Sequence, residues 1–563
     1  MTLPMAKWAF RTHDKSIGEG DIPAMMMLDT ILPWTTGTTP AGQFEGYERN
    51  MNLAGPPKNF PSSRVLNTVI LNPVGLKESS TAPFRTGGKG KDDWKAPFSD
   101  TNGVTSFLAA YATAYKDTNT YFILMLPERE LMNLYFDGSV QEYPGAHPSP
   151  DPIPADGATS LQAIVEYIWT PANNLLDKFL GYVLTDEPDD LNNRRFSRFA
   201  TPANMANLRA RIRCWELQSR TTELTGLSDR QKRARLMPCL LTFSSGFSEI
   251  SGSPQPGAYA SATVPCAAGC SPPAGCVEKG AADVYLFDRY PWRRSRTKMI
   301  AEDGYSPSSL VNSAYATTDP VRSNRIFRDL RNQINGSLHA GQLGYKPVLS
   351  WQQNTGWPWR PDSATPGPTF DPAGIPAPDY VPGSFIPIQR YYERPVRYQL
   401  RFDLWAALEE GSEGIALYAQ FHSSDYHIQS VVQPVLEEFA YFAPMRVSRK
   451  ELPQPGSISV SVREGAESGT SRERLPRVAR LFEFIPEDAD PAAPAEKWLM
   501  LLNRTPVGIW ADCTFSQALA LRYDLQSYFL LTPEGPPYSL NANPLTLAVG
   551  AHWVRLLKLV PKS

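Results

Sequence analysis

Residues 181–188 read Gly-Tyr-Val-Leu-Thr-Asp-Glu-Pro, an apolar run that ends in two adjacent carboxylates and a proline. The apolar residues suit a buried strand, and the proline ends it because proline has no backbone N–H for a sheet ladder. Two acids at the mouth of a buried strand are costly to place there, and this cost is usually tolerated where acids do chemistry. Asp186 and Glu187 are therefore candidate catalytic residues. The structural alternative is a strand that ends in a solvated acidic turn.

Eight strand-like runs, residues 181–187 among them, alternate with amphipathic stretches between residues 24 and 421. The other seven are residues 24–34, 64–74, 120–127, 235–243, 283–288, 346–352 and 414–421. Helices are predicted at residues 104–115, 160–176, 201–217, 322–338, 397–410 and 431–442. Such alternation predicts an α/β domain with a parallel sheet, and eight strands are the number for a closed (β/α)8 TIM barrel. Catalytic groups of such barrels lie at the C-terminal strand ends.

The pattern changes after Pro444 to short alternating runs separated by turn residues. The runs are residues 457–463, 477–485, 498–503, 519–523, 528–531 and 545–560. Alternation of this kind predicts an antiparallel β-sandwich. We therefore expect a barrel over residues 1–445 and a separate C-terminal β-sandwich over residues 446–563.

Three long insertions interrupt the predicted barrel, at residues 75–99, 244–280 and 358–387. Each follows the C-terminal end of a strand, so we expect all three to cluster on the candidate active face, where they would shape a cleft for an extended substrate. Surface decoration or an oligomer contact is the alternative. A homo-oligomer or a larger assembly stays open.

Charge and hydropathy limit the partners. The net charge is −2 over 563 residues, and no basic block is present, which argues against nucleic acid and anionic membrane surfaces. No apolar run approaches the ~18 residues of a membrane span. The first ten residues lack the basic start and apolar core of a signal peptide. We expect no membrane span and a cytoplasmic or assembly-associated location.

Three of the six cysteines, Cys266, Cys270 and Cys276, fall within eleven residues. A zinc site needs four ligands, and neither a fourth ligand nor a nearby histidine is evident. A disulfide that staples the loop, a metal site and free thiols are the three alternatives. We expect no metal and no cofactor.

Four motifs in register carry a family resemblance. Residues 181–188 are similar to the G-Y-x-L-x-D-E-P strand of glycoside-hydrolase-like TIM barrels, and residues 283–291 resemble their D-x-x-x-x-D-x-Y-P strand. Residues 346–353 resemble their K-P-V-W-x-x-x-Q strand, and residues 404–415 resemble the run into their last strand. A trailing sandwich is also common there. The resemblance covers most of the chain after residue 100 and implies a carbohydrate substrate without specifying the sugar.

The resemblance implies catalytic roles as well. Glycoside hydrolysis usually needs two carboxyl groups, one of which protonates the leaving oxygen. In this superfamily the glutamate of the fourth strand is typically the acid/base, which here is Glu187, and the neighbouring charge of Asp186 could raise its pKa. The nucleophile is usually a glutamate at the end of the seventh strand, where this chain has residues 351–353, Trp-Gln-Gln. Asp288 is the best substitute, and Glu393 is the other candidate.

Aromatic residues at predicted strand ends fit a carbohydrate, because sugar rings present apolar C–H faces to aromatic rings. The candidate substrate-binding residues are Asn72, Tyr290, Trp292, Trp351, Gln353, Trp357 and Tyr418. We therefore expect a glycoside hydrolase that acts on a polysaccharide or glycan. The alternative is a non-catalytic carbohydrate-binding or structural component of a surface or virion assembly. The missing acid at the end of the seventh strand favours that alternative.

Overall fold

The computed structural model of the chain describes most of its strands and helices. The residues described are 21–22, 26–31, 68–71, 104–105, 108–109, 111–112, 121–126, 157–176, 178–189, 200–249, 252–270, 275–289, 291–292, 320–336, 346–353, 395–412, 414–418, 428–442, 445–448, 458–464, 477–486, 496–504 and 508–562.

The strands are numbered along the chain. They are β1 (Asp21–Ile22), β2 (Met26–Ile31), β3 (Thr68–Leu71), β4 (Tyr121–Met125), β5 (Phe179–Val183), β6 (Cys239–Phe243), β7 (Thr263–Pro265), β8 (Val277–Lys279), β9 (Val284–Arg289), β10 (Val348–Gln353), β11 (Gly414–Tyr418), β12 (Met445–Ser448), β13 (Ile458–Glu464), β14 (Arg477–Pro486), β15 (Glu496–Asn503), β16 (Ile509–Phe515), β17 (Tyr523–Phe529), β18 (Thr532–Ser539), β19 (Leu545–Val549) and β20 (Trp553–Pro561).

The α-helices are numbered in the same way. They are α1 (Gly157–Trp169), α2 (Pro202–Ser219), α3 (Asp229–Ala234), α4 (Gly246–Glu249), α5 (Pro256–Ser261), α6 (Pro320–Gly336), α7 (Arg397–Glu409), α8 (Gln433–Phe442) and α9 (Gln517–Arg522).

Eight of the described strands form one parallel sheet. Their order is β10-β11-β2-β3-β4-β5-β6-β9, and β9 pairs back onto β10, so the described pairings run around a closed barrel. Each strand lies within one of the eight predicted runs or overlaps it by all but a few residues. The prediction of a parallel sheet that alternates with helices is confirmed.

The barrel has two apolar layers because strand side chains alternate between faces. The inner layer fills the barrel with Ile70, Ile123, Met125, Leu180, Val183, Leu240, Val284, Leu286, Leu349, Trp351 and Ala416. The outer layer lies between the strands and the helices, and it includes Tyr182, Leu241 and Phe287. Inner side chains of a barrel pack into a solid core, so ligands have access only at its ends.

Two antiparallel sheets follow the barrel and agree with the predicted sandwich. One has the order β1-β12-β14-β15-β20-β17-β18, and the other has the order β13-β16-β19. Their shared core contains Leu499, Leu501, Leu557 and Leu559 from the larger sheet and Ile509, Ala511, Cys513, Leu547 and Val549 from the smaller one. The larger sheet also takes in β1, whose residues 21–22 pair with residues 447–448.

Three details of the C-terminal sheets differ from the prediction. Residues 519–522, which lie in the predicted run 519–523, belong to α9, because the Ser516 side chain accepts the Leu519 N–H and caps the helix. The strands β12, β16 and β18 were not predicted. The predicted run 545–560 is two strands, β19 and β20, with a turn between them.

The cysteine cluster forms two disulfides, which settles the alternatives for these residues. Cys266 bonds Cys276 across the β7–β8 hairpin, and Cys270 bonds Cys214 in α2. The loop-stapling alternative is therefore confirmed. The sequence pattern did not indicate Cys214, because it lies 56 residues from its partner.

The insertion at residues 244–280 lies differently from our expectation. Its β7–β8 hairpin packs on the outside of α2, where Arg209 binds Glu278 at 3.1 Å and Gln218 donates to the Gly269 carbonyl. The segment then leads into Asp283, which precedes β9 and is held by Arg209 at 2.6 Å. The expectation that this whole insertion clusters at the C-terminal strand ends is therefore wrong. The insertions at residues 75–99 and 358–387 lie outside the described residues.

Candidate functional site

The strand β5 leads into the segment with the candidate acid, and Gly181 shapes this strand. A Cβ atom at residue 181 would lie 2.5 Å from the Pro238 carbonyl oxygen, and the backbone φ there is +155°. This close approach lets Tyr182 donate its backbone N–H to the same carbonyl at 3.0 Å. The Tyr182 hydroxyl accepts the Trp169 indole N–H at 3.0 Å on the outer face of the barrel. Only glycine fits at residue 181, and β5 is thereby fixed against β6.

Glu187 lies at the C-terminal end of β5 in an unusual backbone conformation. Its φ is +42°, in the left-handed region that non-glycine residues rarely adopt. Asp186 and Glu187 are both half-buried, whereas Thr185 before them is 2% exposed. Backbone strain of this kind costs about 1–3 kcal/mol and is concentrated at active sites and ligand clamps. The conformation therefore marks residue 187 as a candidate site residue.

Asp189 follows two residues later and is fully buried. Its carboxylate accepts the Ser244 N–H at 2.9 Å, the Ser244 hydroxyl at 3.2 Å and the Phe247 N–H at 2.9 Å. Burial raises the pKa of Asp189 to about 6, and these hydrogen bonds oppose the rise. Asp189 was not among the residues predicted from the sequence, where it stands out only as a third acid close after Asp186 and Glu187.

Asp288 lies at the C-terminal end of β9. Val284 and Leu286 belong to the inner layer, so strand alternation places Asp288 on the same inward face. It is 7% exposed, and its Cα partner on β10 is Trp351. The structure therefore places Asp288 at the same end of the barrel as Glu187, which lies four residues after the end of β5 in the same parallel sheet.

Arg289 points to the opposite face of β9 from Asp288. Its guanidinium donates to Ser323 Oγ at 3.0 Å and to Asn324 Oδ1 at 2.6 Å, both in α6. Burial lowers the pKa of Arg289 to about 10, while the charges of Asp403 and Glu410 oppose the fall. Arg289 thus anchors β9 to the helix layer.

Trp351 belongs to the inner layer of the barrel and is 1% exposed. The C-terminal end of β10 has no carboxylate, because residues 351–353 are Trp-Gln-Gln. Gln353 and Tyr418 are Cα partners at the C-terminal ends of β10 and β11. The backbone therefore brings residues 288, 351, 353 and 418 to one end of the sheet.

Trp292 contacts α7 and the turn before β20. It is 3% exposed, and its indole N–H donates to Asp403 Oδ2 in α7. Its ring packs edge-to-face on Phe402 at 6.4 Å and on His552 at 5.8 Å. These are the contacts of a buried anchor between α7 and the turn before β20. The other predicted residues Asn72, Tyr290, Trp357 and Glu393 lie outside the described residues.

Two threonines lie below the candidate acids. Thr185 and Thr242 continue the inward-facing series of Val183 on β5 and Leu240 on β6. Both are buried, and neither hydroxyl has a hydrogen-bond partner among the described residues. The floor of this end of the barrel is therefore polar. Neither threonine was among the residues predicted from the sequence.

The described residues contain neither a membrane-spanning helix nor a cluster of metal ligands. No described helix combines the length and apolar character that crossing a membrane requires. No group of three or more His, Cys, Asp and Glu side chains in the described part could hold a metal ion.

Comparison with known proteins gives structural neighbours alone. No protein-family model and no curated protein sequence matches the chain. Three similar solved structures are glycoside hydrolases. They are a GH30 endoxylanase from Clostridium papyrosolvens (10% identity, 97% of this chain and 98% of that chain, TM-score 0.39), a GH27 β-L-arabinopyranosidase from Geobacillus stearothermophilus (8%, 96% and 97%, 0.40) and a GH44 xyloglucanase from Paenibacillus polymyxa (8%, 96% and 100%, 0.38). At such low TM-scores and identities, these similarities carry no argument about activity.

Proposed function

We propose that this protein is a glycoside hydrolase that acts on a polysaccharide or glycan, with Glu187 as the general acid/base. The observation that carries the proposal is the strained backbone of Glu187 at the C-terminal end of β5, beside Asp186. A side chain at this end of a barrel faces the ligand-accessible mouth. The neighbouring carboxylate favours a protonated glutamate, as a general acid requires.

Asp288 is the proposed second carboxylate. It lies on the inward face of β9, at the same end of the sheet as Glu187. In a two-carboxylate mechanism it would act as the nucleophile or as the base that activates water. Carboxyl groups about 5–5.5 Å apart give retention of configuration, and groups about 6.5–9.5 Å apart give inversion. The product anomer therefore reports the role of Asp288.

A second candidate function is carbohydrate binding without cleavage. It is favoured by β10, the neighbour of β9, because this strand has no acid among its C-terminal residues Trp351, Gln352 and Gln353. Contacts among the described residues give no support for a surface or virion assembly.

Release of reducing ends from a panel of polysaccharides tests the proposal, with Glu187→Gln as the matched variant. Glutamine keeps the size of the side chain and removes the transferable proton. General acid/base catalysis contributes about 10²- to 10⁴-fold, so the variant should lose activity to that extent while it still binds the glycan. Binding by wild type with no release of reducing ends would instead support the non-catalytic function. Equal turnover by wild type and Glu187→Gln would remove Glu187 from the mechanism.

A further inference from the structure

The conformation of Glu187 runs against its local preference. The residue before a proline is pushed towards extended conformations with φ near −120°, because the proline ring crowds its backbone. Glu187 precedes Pro188 but has a φ of +42°. Contacts elsewhere in the fold must therefore hold it there.

The segment is fastened on both sides of Glu187. Before it, the Leu184 N–H donates to the Leu240 carbonyl on β6 at 2.9 Å. After it, Asp189 binds the residues that follow β6 through three hydrogen bonds. The Thr185 carbonyl also accepts the Thr242 N–H of β6 at 3.5 Å, so residues 186–188 are a short bridge between two attachments to the same neighbouring strand and its loop.

The second attachment is itself rigid. Two of its three donors are the backbone N–H groups of Ser244 and Phe247, and the Ser244 hydroxyl also accepts the Gly246 N–H at 3.0 Å. Phe247 packs edge-to-face on Phe243, the last residue of β6, with ring centroids 6.5 Å apart. Among the described residues, no lysine or arginine forms a salt bridge with Asp189. The donors of the β6 loop are the described partners of its carboxylate outside its own backbone.

We propose that Asp189 is a positioning residue, which holds Glu187 in its strained conformation by fastening the end of β5 to the loop after β6. The proposal rests on the proposed function for its effect on catalysis. A carboxylate that only stabilised the fold would change the melting temperature. One that sets the position of Glu187 also changes the rate of the chemical step.

The main variant is Asp189→Asn, which keeps the shape but faces an NH₂ group towards one of the N–H donors. A displacement of about 1 Å at a catalytic group can lower the rate about 10²-fold, so we expect kcat to fall on that scale with KM nearly unchanged. Adding Glu187→Gln should lower kcat little further, because Asp189 acts through Glu187. Retention of wild-type kcat by Asp189→Asn, or losses that multiply in the double variant, would overturn the proposal.

Two further variants control for lost stability and for failure of Asp189→Asn to fold. Leu330→Ala, in the buried face of α6, is the control for lost stability, and it should lower the melting temperature without the fall in kcat. Ser244→Ala removes one of the three bonds to Asp189 and serves if Asp189→Asn does not fold. It should lower kcat in the same direction by a smaller factor, and an unchanged kcat would count against the proposal.

A crystal structure of the variant separates this proposal from the proposed function. If no glycan is cleaved, or if Glu187→Gln is fully active, the proposed function fails. The φ of residue 187 in the variants then tests the positioning role of Asp189 without any measurement of activity. A φ of residue 187 that becomes negative in Asp189→Asn or Ser244→Ala supports the positioning role. A φ that stays positive in the folded variant contradicts it.

Discussion

At the scale of single residues, three acids near the end of β5 have three different surroundings. Asp186 and Glu187 are half-buried, whereas Asp189 is fully buried and binds the β6 loop. The three side chains have the same functional group and differ in burial. The half-buried acids are candidates for proton transfer, and the fully buried Asp189 is a candidate for positioning. Substitution of each acid therefore has its own expected effect on kcat or on the pH profile.

Asp288→Asn tests the proposed second carboxylate. Amide substitution removes both the nucleophile and the base, so kcat should fall by about 10² or more while glycan binding persists. The matched control is Asp186→Asn, which removes the neighbouring charge. That variant should shift the pH profile of Glu187 with a smaller loss of kcat, because a like charge raises the pKa of its neighbour. Full activity of Asp288→Asn would leave the two-carboxylate mechanism without its partner.

Gly181→Ala tests the close approach of β5 to β6. The added Cβ would meet the Pro238 carbonyl oxygen at 2.5 Å, and this backbone atom cannot swing away. Overpacking of this kind costs about 1–3 kcal/mol, which urea denaturation would measure as a lower free energy of unfolding. Gly508→Ala is the control, because its Cβ would lie 3.8 Å from the nearest atom. Equal stabilities of the two variants would contradict the argument.

At the scale of elements, the two disulfides staple one hairpin to one helix. Cys266–Cys276 closes a loop with a sequence separation of 10, and Cys214–Cys270 closes one of 56. The first holds the β7–β8 hairpin together, and the second fixes that hairpin on α2. The insertion thus becomes part of the outer wall of the barrel.

The two disulfides should differ in their contribution to stability. In the chain-entropy model a disulfide restrains the unfolded chain more when it closes a longer loop, and typical contributions are about 2–4 kcal/mol. The double variant Cys214→Ser/Cys270→Ser should therefore lose more unfolding free energy than Cys266→Ser/Cys276→Ser, by about 1.5 kcal/mol. Chemical denaturation of both variants under oxidising conditions makes the comparison. The reverse order would show that native contacts of the hairpin outweigh loop entropy.

At the scale of the whole molecule, buried polar contacts join the barrel to the C-terminal sheets. Arg401 in α7 binds Glu438 at 2.8 Å and also donates to the Val554 carbonyl in β20. Arg504, which follows β15, binds Glu410 at 2.9 Å. Trp292 and Asp403 lie beside these contacts. The two parts of the chain therefore share a desolvated interface, and changes of charge there affect stability.

Asp403 should make stability depend on pH. Burial raises its pKa from 3.8 to about 7, against the opposing effects of the Arg289 charge and the Trp292 N–H. The folded state then binds more protons than the unfolded state between these values, so its contribution to stability is full below 3.8 and is lost as pH rises through about 7. Asp403→Asn cannot ionise and should match wild type at low pH.

The measurement is the free energy of unfolding of both proteins across that range. The variant should gain relative to wild type as pH rises, at about 1.4 kcal/mol for each unit of pKa shift. Parallel curves for the two proteins would mean that Asp403 has an ordinary pKa in the folded state.

Much of this architecture is readable in the sequence, because strand and helix periods are local properties of the chain. Residues 181–188 alone indicate a buried strand with acids at its end, and the change of pattern at Pro444 marks the start of the antiparallel sheets. The strand β16 was missed although its polarity alternates. The helix α9 was missed because one serine cap outweighs a short apolar pattern.

Only the tertiary structure decided what each polar residue does. Asp283 and Asp288 stand on one strand-like run, but Arg209, Arg213 and Lys346 hold the pKa of Asp283 well below its usual range at the other end of the barrel. Trp292 follows Asp288 by four residues and yet contacts the C-terminal sheets. Periodicity fixes which elements form and which face is buried. The role of a charged or aromatic side chain depends on partners far away in the chain, and only folding brings them together.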